Sequence, residues 1–415
     1  MTNATALPGD PEATAGAGRP RWLVVSALGI CQILAWGSTY YLPSVLAVPI
    51  ARATGWPAAW VVGGLSVGLL VSGLVSPMVG RTIDRVGGRP VLAASAGLVA
   101  VGLLGLALAP SLPVYVAAWM VIGLGMGCGL YDPVFSTLGH LYGNAAGPLI
   151  TGVTLWGGFA STLCWPLSAF LTEHLGWRGA CFTYAALNLL IVLPLYAFGL
   201  PGRSPQPLHI PLPRSAAAHA PGSRRSARAA FWLVAAALTL AAVLMTIVSV
   251  ELITILQARG LSLASAVALG TLLGPSQVGA RVVQFAVGRR GHPIWTMLAA
   301  TVLVALGLGG LLLNPAFFAG GLILQGAGRG IQSIARATVP LALFGPDGYA
   351  TLMGRIAMPS LIAQALAPTV GALLVSDLGP IDTVGVLLAL GVANLIPVLM
   401  LVPISRRGGL VQSRA

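Results

Sequence analysis

The chain of 415 residues is 57% hydrophobic and only 7% charged, with a mean hydropathy of +0.90. These values exclude an ordinary soluble globular domain, so lipid is the expected solvent of the fold. The formal net charge of +13 does not indicate a nucleic-acid partner, because the arginines are dispersed between apolar runs and form no compact basic face.

Apolar runs long enough to cross a bilayer follow one another along the chain after residue 20. A helix needs about 20 apolar residues for this, since the hydrocarbon core offers no water to the backbone. The first run exceeds a signal-peptide core of roughly 7 to 15 residues and is expected to be retained. The sequence predicts an all-α membrane protein with twelve transmembrane helices, near 21–48, 57–79, 90–109, 112–138, 147–171, 179–200, 230–257, 263–287, 293–313, 316–340, 350–376 and 381–403.

A segment rich in Pro, Ser and Ala divides these runs into six and six. We predict a tail over 1–20, a six-helix bundle over 21–200, a flexible linker over 201–229, a second bundle over 230–403 and a tail over 404–415. Arginine placement predicts cytoplasmic termini, tails and linker, because that orientation leaves few arginines in the outer loops, namely Arg52, Arg178 and Arg259.

The two halves also carry a common pattern. Gly123, Gly125 and Gly127 of the fourth run, a later Tyr142-Gly143 pair and Pro166 recur in the second half with a displacement of 202 or 203 residues. A glycine ladder alone is weak support, since small residues permit close helix approach anywhere. Combined with the later pair and the proline, the pattern predicts a true repeat, carried in the second half by Gly326, Gly328, Gly330, Phe344-Gly345 and Pro368.

A charged loop, GRTIDRVGGRP, separates the second and third runs. It resembles the loop signature of the major facilitator superfamily, Gly-x-x-x-Asp-Arg-x-Gly followed by basic residues. Gly88 stands where that signature usually has a basic residue, and Val287 replaces the acid in the second half. The signature positions are occupied by Gly80, Asp84, Arg85, Gly87 and Arg89.

This resemblance implies two pseudo-symmetric six-helix bundles that rock about a midplane site. It further implies a multi-pass protein of a bacterial inner membrane that works as a monomer in the lipid bilayer, with a proton gradient and no bound cofactor. Asp84 would then cap a neighbouring helix N-terminus, pair with Arg85 or Arg89, and latch the outward-open state. The alternative is a solvated positive-inside loop.

Ionisable residues within the spans are candidates for function, because charge at membrane depth is unfavourable. Arg329, among glycines, offers a planar fork for a carboxylate or phosphate, or else bonds backbone carbonyls. Asp132 is a proton-coupling candidate, since burial favours the neutral, protonated carboxyl group, or else pairs with an arginine of the other half. Glu251 is a coupling candidate or reaches water. Arg281 is a cavity candidate, whereas Arg336 is expected to anchor at headgroups or loops.

Polar and aromatic residues of the first run recur every fourth position, as Gln32, Trp36 and Tyr40. This spacing places them on one helical face, and we predict that they line the central cavity together with Tyr131. The alternative is packing against a neighbouring helix, with Tyr40 in the interfacial aromatic belt.

The cysteine and histidine positions argue against an enzyme. The cysteines, Cys31, Cys128, Cys164 and Cys181, lie in or beside apolar runs without CxxC spacing and are expected to be buried thiols. The histidines fall in the linker or near span ends, so neither a catalytic nor a metal cluster is expected.

The sequence therefore predicts a proton-coupled secondary transporter of a small organic solute, an anion such as a monocarboxylate being favoured. Efflux of a drug or amphiphilic metabolite is the alternative, with Asp132 or Glu251 recognising positive charge. A receptor or sensor that transports nothing is a more distant one.

Overall fold

A computed structural model of the chain describes residues 20–201, 221–287 and 292–412. Every regular element within these residues is helical. The first half contains α1 (Arg21–Ser38), α2 (Leu42–Thr54), α3 (Ala58–Val86), α4 (Gly88–Leu108), α5 (Leu112–Gly129), α6 (Tyr131–Tyr142), α7 (Ala146–Gly157), α8 (Ala160–Leu187) and α9 (Leu193–Gly199). The second half contains α10 (Pro221–Ala258), α11 (Leu263–Gly270), α12 (Leu273–Val287), α13 (Pro293–Leu312), α14 (Phe318–Phe344), α15 (Tyr349–Leu378), α16 (Pro380–Ala393) and α17 (Leu395–Gln412).

Several predicted runs consist of two helices joined by a short break. The first run is α1 and α2, which are separated at residues 39–41, and the fourth is α5 and α6, which are separated at Leu130. Between the predicted fifth and sixth runs, α8 turns at Gly176, where φ is 69° and ψ is 170°, a conformation that favours glycine. These breaks place side chains at helix ends inside the bundle.

Within the described residues, nine segments are long and apolar enough to cross a membrane. One of them, Leu112–Gly199, has 88 residues, which is several times the length of one crossing. The 27-residue α14 is not among the nine. The chain is thus a multi-pass helical membrane protein, while the count of twelve spans stays a prediction.

The segment between the halves is described only in part. Helix α10 begins at Pro221, so residues 221–229 of the predicted linker extend the seventh span as helix. Residues 404–412 of the predicted C-terminal tail likewise continue the last helix, α17. Residues 1–19, 202–220 and 413–415 lie outside the described residues.

The glycine ladders pack in the same way in both halves. Gly123 and Gly127 lie against α3, while Gly125 lies against α4. In the second half, the corresponding glycines make the equivalent contacts, with Gly326 and Gly330 against α12 and Gly328 against α13. The neighbouring backbones approach so closely that a side chain at these positions would displace them. The predicted pseudo-symmetric repeat is therefore confirmed by its packing.

The two halves meet along α3 and α15. A Cβ on Gly80 would overlap the carbonyl oxygen of Ala350, and one on Gly354 would overlap that of Ser76. This contact lies at the end of the bundle where α3 ends and α4 begins, which we call the Asp84 end. Close helix packing therefore joins the halves at the Asp84 end.

The cysteines have the predicted character of small apolar side chains. Cys31, Cys164 and Cys181 are buried, Cys128 is partly buried, and all four are free thiols.

Candidate functional site

A cavity of about 180 Å³ lies between the two halves. First-half helices α1, α3, α5 and α6 contribute to its lining, as do second-half helices α10, α12, α14 and α15. Its position between the repeats is where the family resemblance implies a site.

Aromatic rings form the first-half side of this cavity. The Trp36 ring centroid lies 5.2 Å from that of Tyr40, 6.0 Å from that of Tyr41 and 5.0 Å from that of Tyr131. All four side chains are half-buried and line the cavity. The helix breaks at residues 39–41 and at Leu130 place the three tyrosines there. We call these four residues the aromatic wall.

Gln32 lies behind the aromatic wall and does not line the cavity. Its amide Nε2 donates to the carbonyl oxygen of Gly129 at 2.7 Å and to the Tyr196 hydroxyl at 3.2 Å. Its Oε1 accepts the indole N–H of Trp36 at 3.2 Å. Gln32 and Trp36 therefore share a helical face, but Gln32 does not line the cavity as predicted and instead orients Trp36 from behind.

Arg329 is buried at 7% exposure and lines the cavity from α14. Its Nη1 donates to the Ser249 hydroxyl at 3.0 Å, whereas its Nε and Nη2 have no hydrogen-bond partner. Neighbouring Gly328 and Gly330 allow α14 to approach α13 and α12 closely. Buried guanidinium donors are normally paired, so Nε and Nη2 can bind an acceptor such as a carboxylate.

Further unpartnered polar atoms belong to residues that line the same cavity as Arg329. Gln325 Oε1, both amide atoms of Gln332 and Asn394 Oδ1 are buried without partners, and all three residues line the cavity. Together with Arg329 they form what we call the polar wall. Sequence reasoning missed these three residues. For the two glutamines a signal existed, since positions 325, 329 and 332 share one face of a helix.

Arg281 also lines the cavity but is bound on both sides to backbone. Its Nη1 donates to the carbonyl oxygen of Thr154 in the first half at 2.9 Å, and its Nε donates to that of Gly330 at 3.3 Å. Arg281 therefore links α7 to α14, and its guanidinium is less available to a ligand than that of Arg329.

Asp132 and Arg336 form a bidentate ion pair across the two halves. Arg336 Nε lies 2.8 Å from Asp132 Oδ1, and Nη2 lies 2.7 Å from Oδ2. It is the one ion pair found within the described ranges. The pairing predicted as one of two roles for Asp132 is present. The expectation that Arg336 anchors at headgroups was wrong, because Arg336 lines the cavity.

Glu251 is buried at 8% exposure near the end of α10 and does not line the cavity. It lies beside Gly371 of α15. Its coupling role stays a prediction.

Asp84 caps a helix of the opposite half. Its Oδ2 accepts the backbone N–H of Thr351 at 2.8 Å and the Thr351 hydroxyl at 2.5 Å, in the first turn of α15. A carboxylate at this position satisfies a free backbone donor and complements the helix dipole. The predicted cap is present, whereas neither Arg85 nor Arg89 forms an ion pair with a described residue.

Two pseudo-symmetric helical bundles with a cavity between them are the architecture of a multi-pass membrane transport protein. The sequence profile of the Major Facilitator Superfamily matches residues 28–292. The chain belongs to this family, whose members are transporters.

Two curated relatives match part of the chain. An uncharacterized 38 kDa protein in the 23S RNA operon of Thermoproteus tenax is 34% identical over 181 residues, which cover 42% of this chain and 47% of that protein. Monocarboxylate transporter 13 of Bos taurus is 29% identical over 176 residues, which cover 41% of this chain and 40% of that protein. The match thus spans less than half the length of each relative.

Solved structures share the fold over nearly the whole chain. The human organic anion transporter MFSD10 (TETRAN) superimposes with a TM-score of 0.71 at 18% identity, covering 91% of this chain and 99% of that one. The transporter FucP in its outward conformation gives a TM-score of 0.72 at 13% identity, covering 92% and 99%. At such identities the likeness extends to the fold alone.

Proposed function

We propose that this secondary transporter carries a small organic monocarboxylate by alternating access, coupled to protons. The observation that carries the proposal is Arg329, a buried guanidinium that lines the cavity with two unpartnered donors. A guanidinium presents its donors in a planar fork that matches a carboxylate. The names of two similar proteins, a monocarboxylate transporter and an organic anion transporter, support the same class.

Export of an amphiphilic cation is less well supported. It needs a free acid in the cavity, and both oxygens of Asp132 are bound by Arg336. Arg281 and Arg329 add positive charge to the same cavity. The charge of the lining therefore favours an anion.

We further propose a bacterial inner-membrane location, a monomer, and an orientation with both termini and the Asp84 end in the cytoplasm. The support for this orientation is the positive-inside rule. In this orientation the contacts of Asp84 and Gly80 with α15 close the cytoplasmic side, so they act as a latch for the outward-facing state.

The transport proposal is tested by reconstituting the protein in proteoliposomes and screening solutes with and without a pH gradient. We expect saturable uptake of one or more monocarboxylates that a proton gradient accelerates. Neutral sugars and organic cations should not compete. Transport confined to cations or uncharged drugs would contradict the proposal.

Loss of the latch is expected to open the Asp84 end. Because a helix cap contributes about 1 kcal/mol, Asp84→Ala should raise the fraction of molecules that are open at the Asp84 end about fivefold. The measurement is the labelling rate of a Ser76→Cys variant by a reagent added from the Asp84 side, since Ser76 lies in the α3–α15 contact. The matched control is Asp347→Ala, which removes an exposed carboxylate just before α15. Equal labelling rates in the two variants would refute the latch.

A further inference from the structure

One side of the cavity is lined by aromatic rings and the other by polar side chains. This difference limits which carboxylates are expected to bind. The aromatic wall (Trp36, Tyr40, Tyr41 and Tyr131) comes from the first half, and the polar wall (Gln325, Arg329, Gln332 and Asn394) from the second. We propose that the substrate is a hydroxylated aryl carboxylate, with its ring on the aromatic wall and its carboxylate on Arg329. This inference rests on the proposed function and specifies its substrate.

At Trp36 the aromatic wall presents the face of a ring to the cavity and no free hydrogen-bond donor. The indole N–H of Trp36 is already bound by Gln32, which leaves the ring to face the cavity. Tyr40 and Tyr131 are inclined to that ring by 64° and 50°. Inclined rings at such spacing accept a further ring in offset or edge-to-face contact, at roughly 4.5 to 7 Å between centroids. A short aliphatic acid or a sugar acid would leave this surface unfilled.

The two walls lie close enough for one small solute to touch both. Tyr40 and Tyr41 of the first half line one and the same cavity as Arg329 and Gln364 of the second half. The cavity of about 180 Å³ is small for a ligand pocket, which typically measures about 300 to 1,000 Å³. A single ring with its carboxylate is therefore favoured over a fused or extended molecule.

The polar wall needs donors as well as an anion. Gln325 Oε1 and Asn394 Oδ1 are buried acceptors without partners, and a carboxylate offers them no proton. An amine on the solute would carry positive charge beside Arg329, which like-charge repulsion disfavours. A hydroxyl supplies the donor without charge. The substrate is thus expected to carry a hydroxyl group in addition to its carboxylate.

The test compares the binding of 4-hydroxybenzoate, benzoate, cyclohexanecarboxylate, lactate and gluconate to the purified protein in nanodiscs by calorimetry. We expect 4-hydroxybenzoate to bind more tightly than benzoate. Benzoate should bind about twofold to tenfold more tightly than cyclohexanecarboxylate, which has a ring of similar size and also lacks a hydroxyl, since aromatic pairing adds about 0.5 to 1.5 kcal/mol. Trp36→Ala should lower the affinity for benzoate more than that for cyclohexanecarboxylate, so that the two affinities come within about twofold of each other. Trp36→Phe should restore most of the preference for benzoate.

The matched control is Trp60→Ala, which removes a tryptophan of α3 that is 57% exposed and does not line the cavity. This variant should bind all five solutes as the wild type does. Equal affinities of the wild type for benzoate and cyclohexanecarboxylate, or equal losses for both in Trp36→Ala, would overturn the aryl assignment. The proposed function, transport of a carboxylate that binds Arg329, would be unaffected by that result. Benzoate binding that is unchanged by Arg329→Ala would overturn the proposed function itself.

Discussion

Arg329→Ala is expected to reduce the saturable uptake of every transported carboxylate by about 30-fold or more. Removing one partner of a buried hydrogen-bonded charge pair costs about 2 to 5 kcal/mol, and the substrate carboxylate is the proposed partner. The measurement is initial uptake into proteoliposomes under a fixed pH gradient. Arg329→Lys should retain part of the activity, because an ammonium keeps the charge and loses the planar fork.

Stability distinguishes a substrate-binding arginine from a structural one. Arg329 Nε and Nη2 have no partners in the protein, so Arg329→Ala should leave the melting temperature of the substrate-free protein unchanged or raise it. Arg52→Ala, which removes an exposed arginine at the end of α2, serves as the matched control for uptake. Normal carboxylate uptake by Arg329→Ala, or a marked fall in its melting temperature, would contradict the assignment.

Local patterns were sufficient to predict the fold and parts of the site. Apolar run length predicts membrane-spanning helices because the bilayer has a fixed thickness. The glycine ladder predicts the repeat because close backbone approach excludes side chains. The Asp84 cap follows from a single acid in a glycine-rich loop at a helix end. Arg329 follows from the high energy of an unpaired charge at membrane depth.

These local patterns do not predict contacts between residues that are far apart in the sequence. Asp132 and Arg336 are 204 residues apart, and no local spacing selects Arg336 among the arginines of the second half. Asn394 lies at the junction of α16 and α17, where nothing in the surrounding sequence indicates a cavity. Gln32 shares a face with Trp36, but periodicity alone does not tell a lining residue from the residue that supports it. Such distinctions depend on how the two bundles pack.

The ion pair of Asp132 and Arg336 holds corresponding parts of the two halves together. Its 204-residue separation is within two residues of the repeat displacement, so the pair lies near the pseudo-symmetry axis on α6 and α14. Alternating access by the proposed rocking motion separates the halves at each end in turn. A bidentate pair across the interface opposes this motion unless a proton or the substrate anion replaces one partner. We therefore expect Asp132 to couple proton binding to opening.

Asp132→Asn is expected to abolish accumulation driven by a pH gradient while retaining carboxylate exchange between equal concentrations on both sides. An amide cannot accept the proton, whereas exchange requires only that the halves move. The two activities are measured in the same proteoliposomes, with Asp347→Asn as the exposed-carboxylate control. Persistence of gradient-driven accumulation in Asp132→Asn would exclude Asp132 as the coupling group.

A double-mutant cycle of Asp132→Ala and Arg336→Ala measures the pair itself. We expect a coupling free energy on the order of 1 to 3 kcal/mol in thermal or denaturant unfolding, within the range for contacting charged residues. Each single variant should be less stable than the double variant, because it leaves a partly buried charge unpaired between the halves. The double variant should exchange substrate without responding to a pH gradient. Additive single effects would mean that the pair neither holds the halves together nor opposes their separation, and the coupling role would then lose its structural basis.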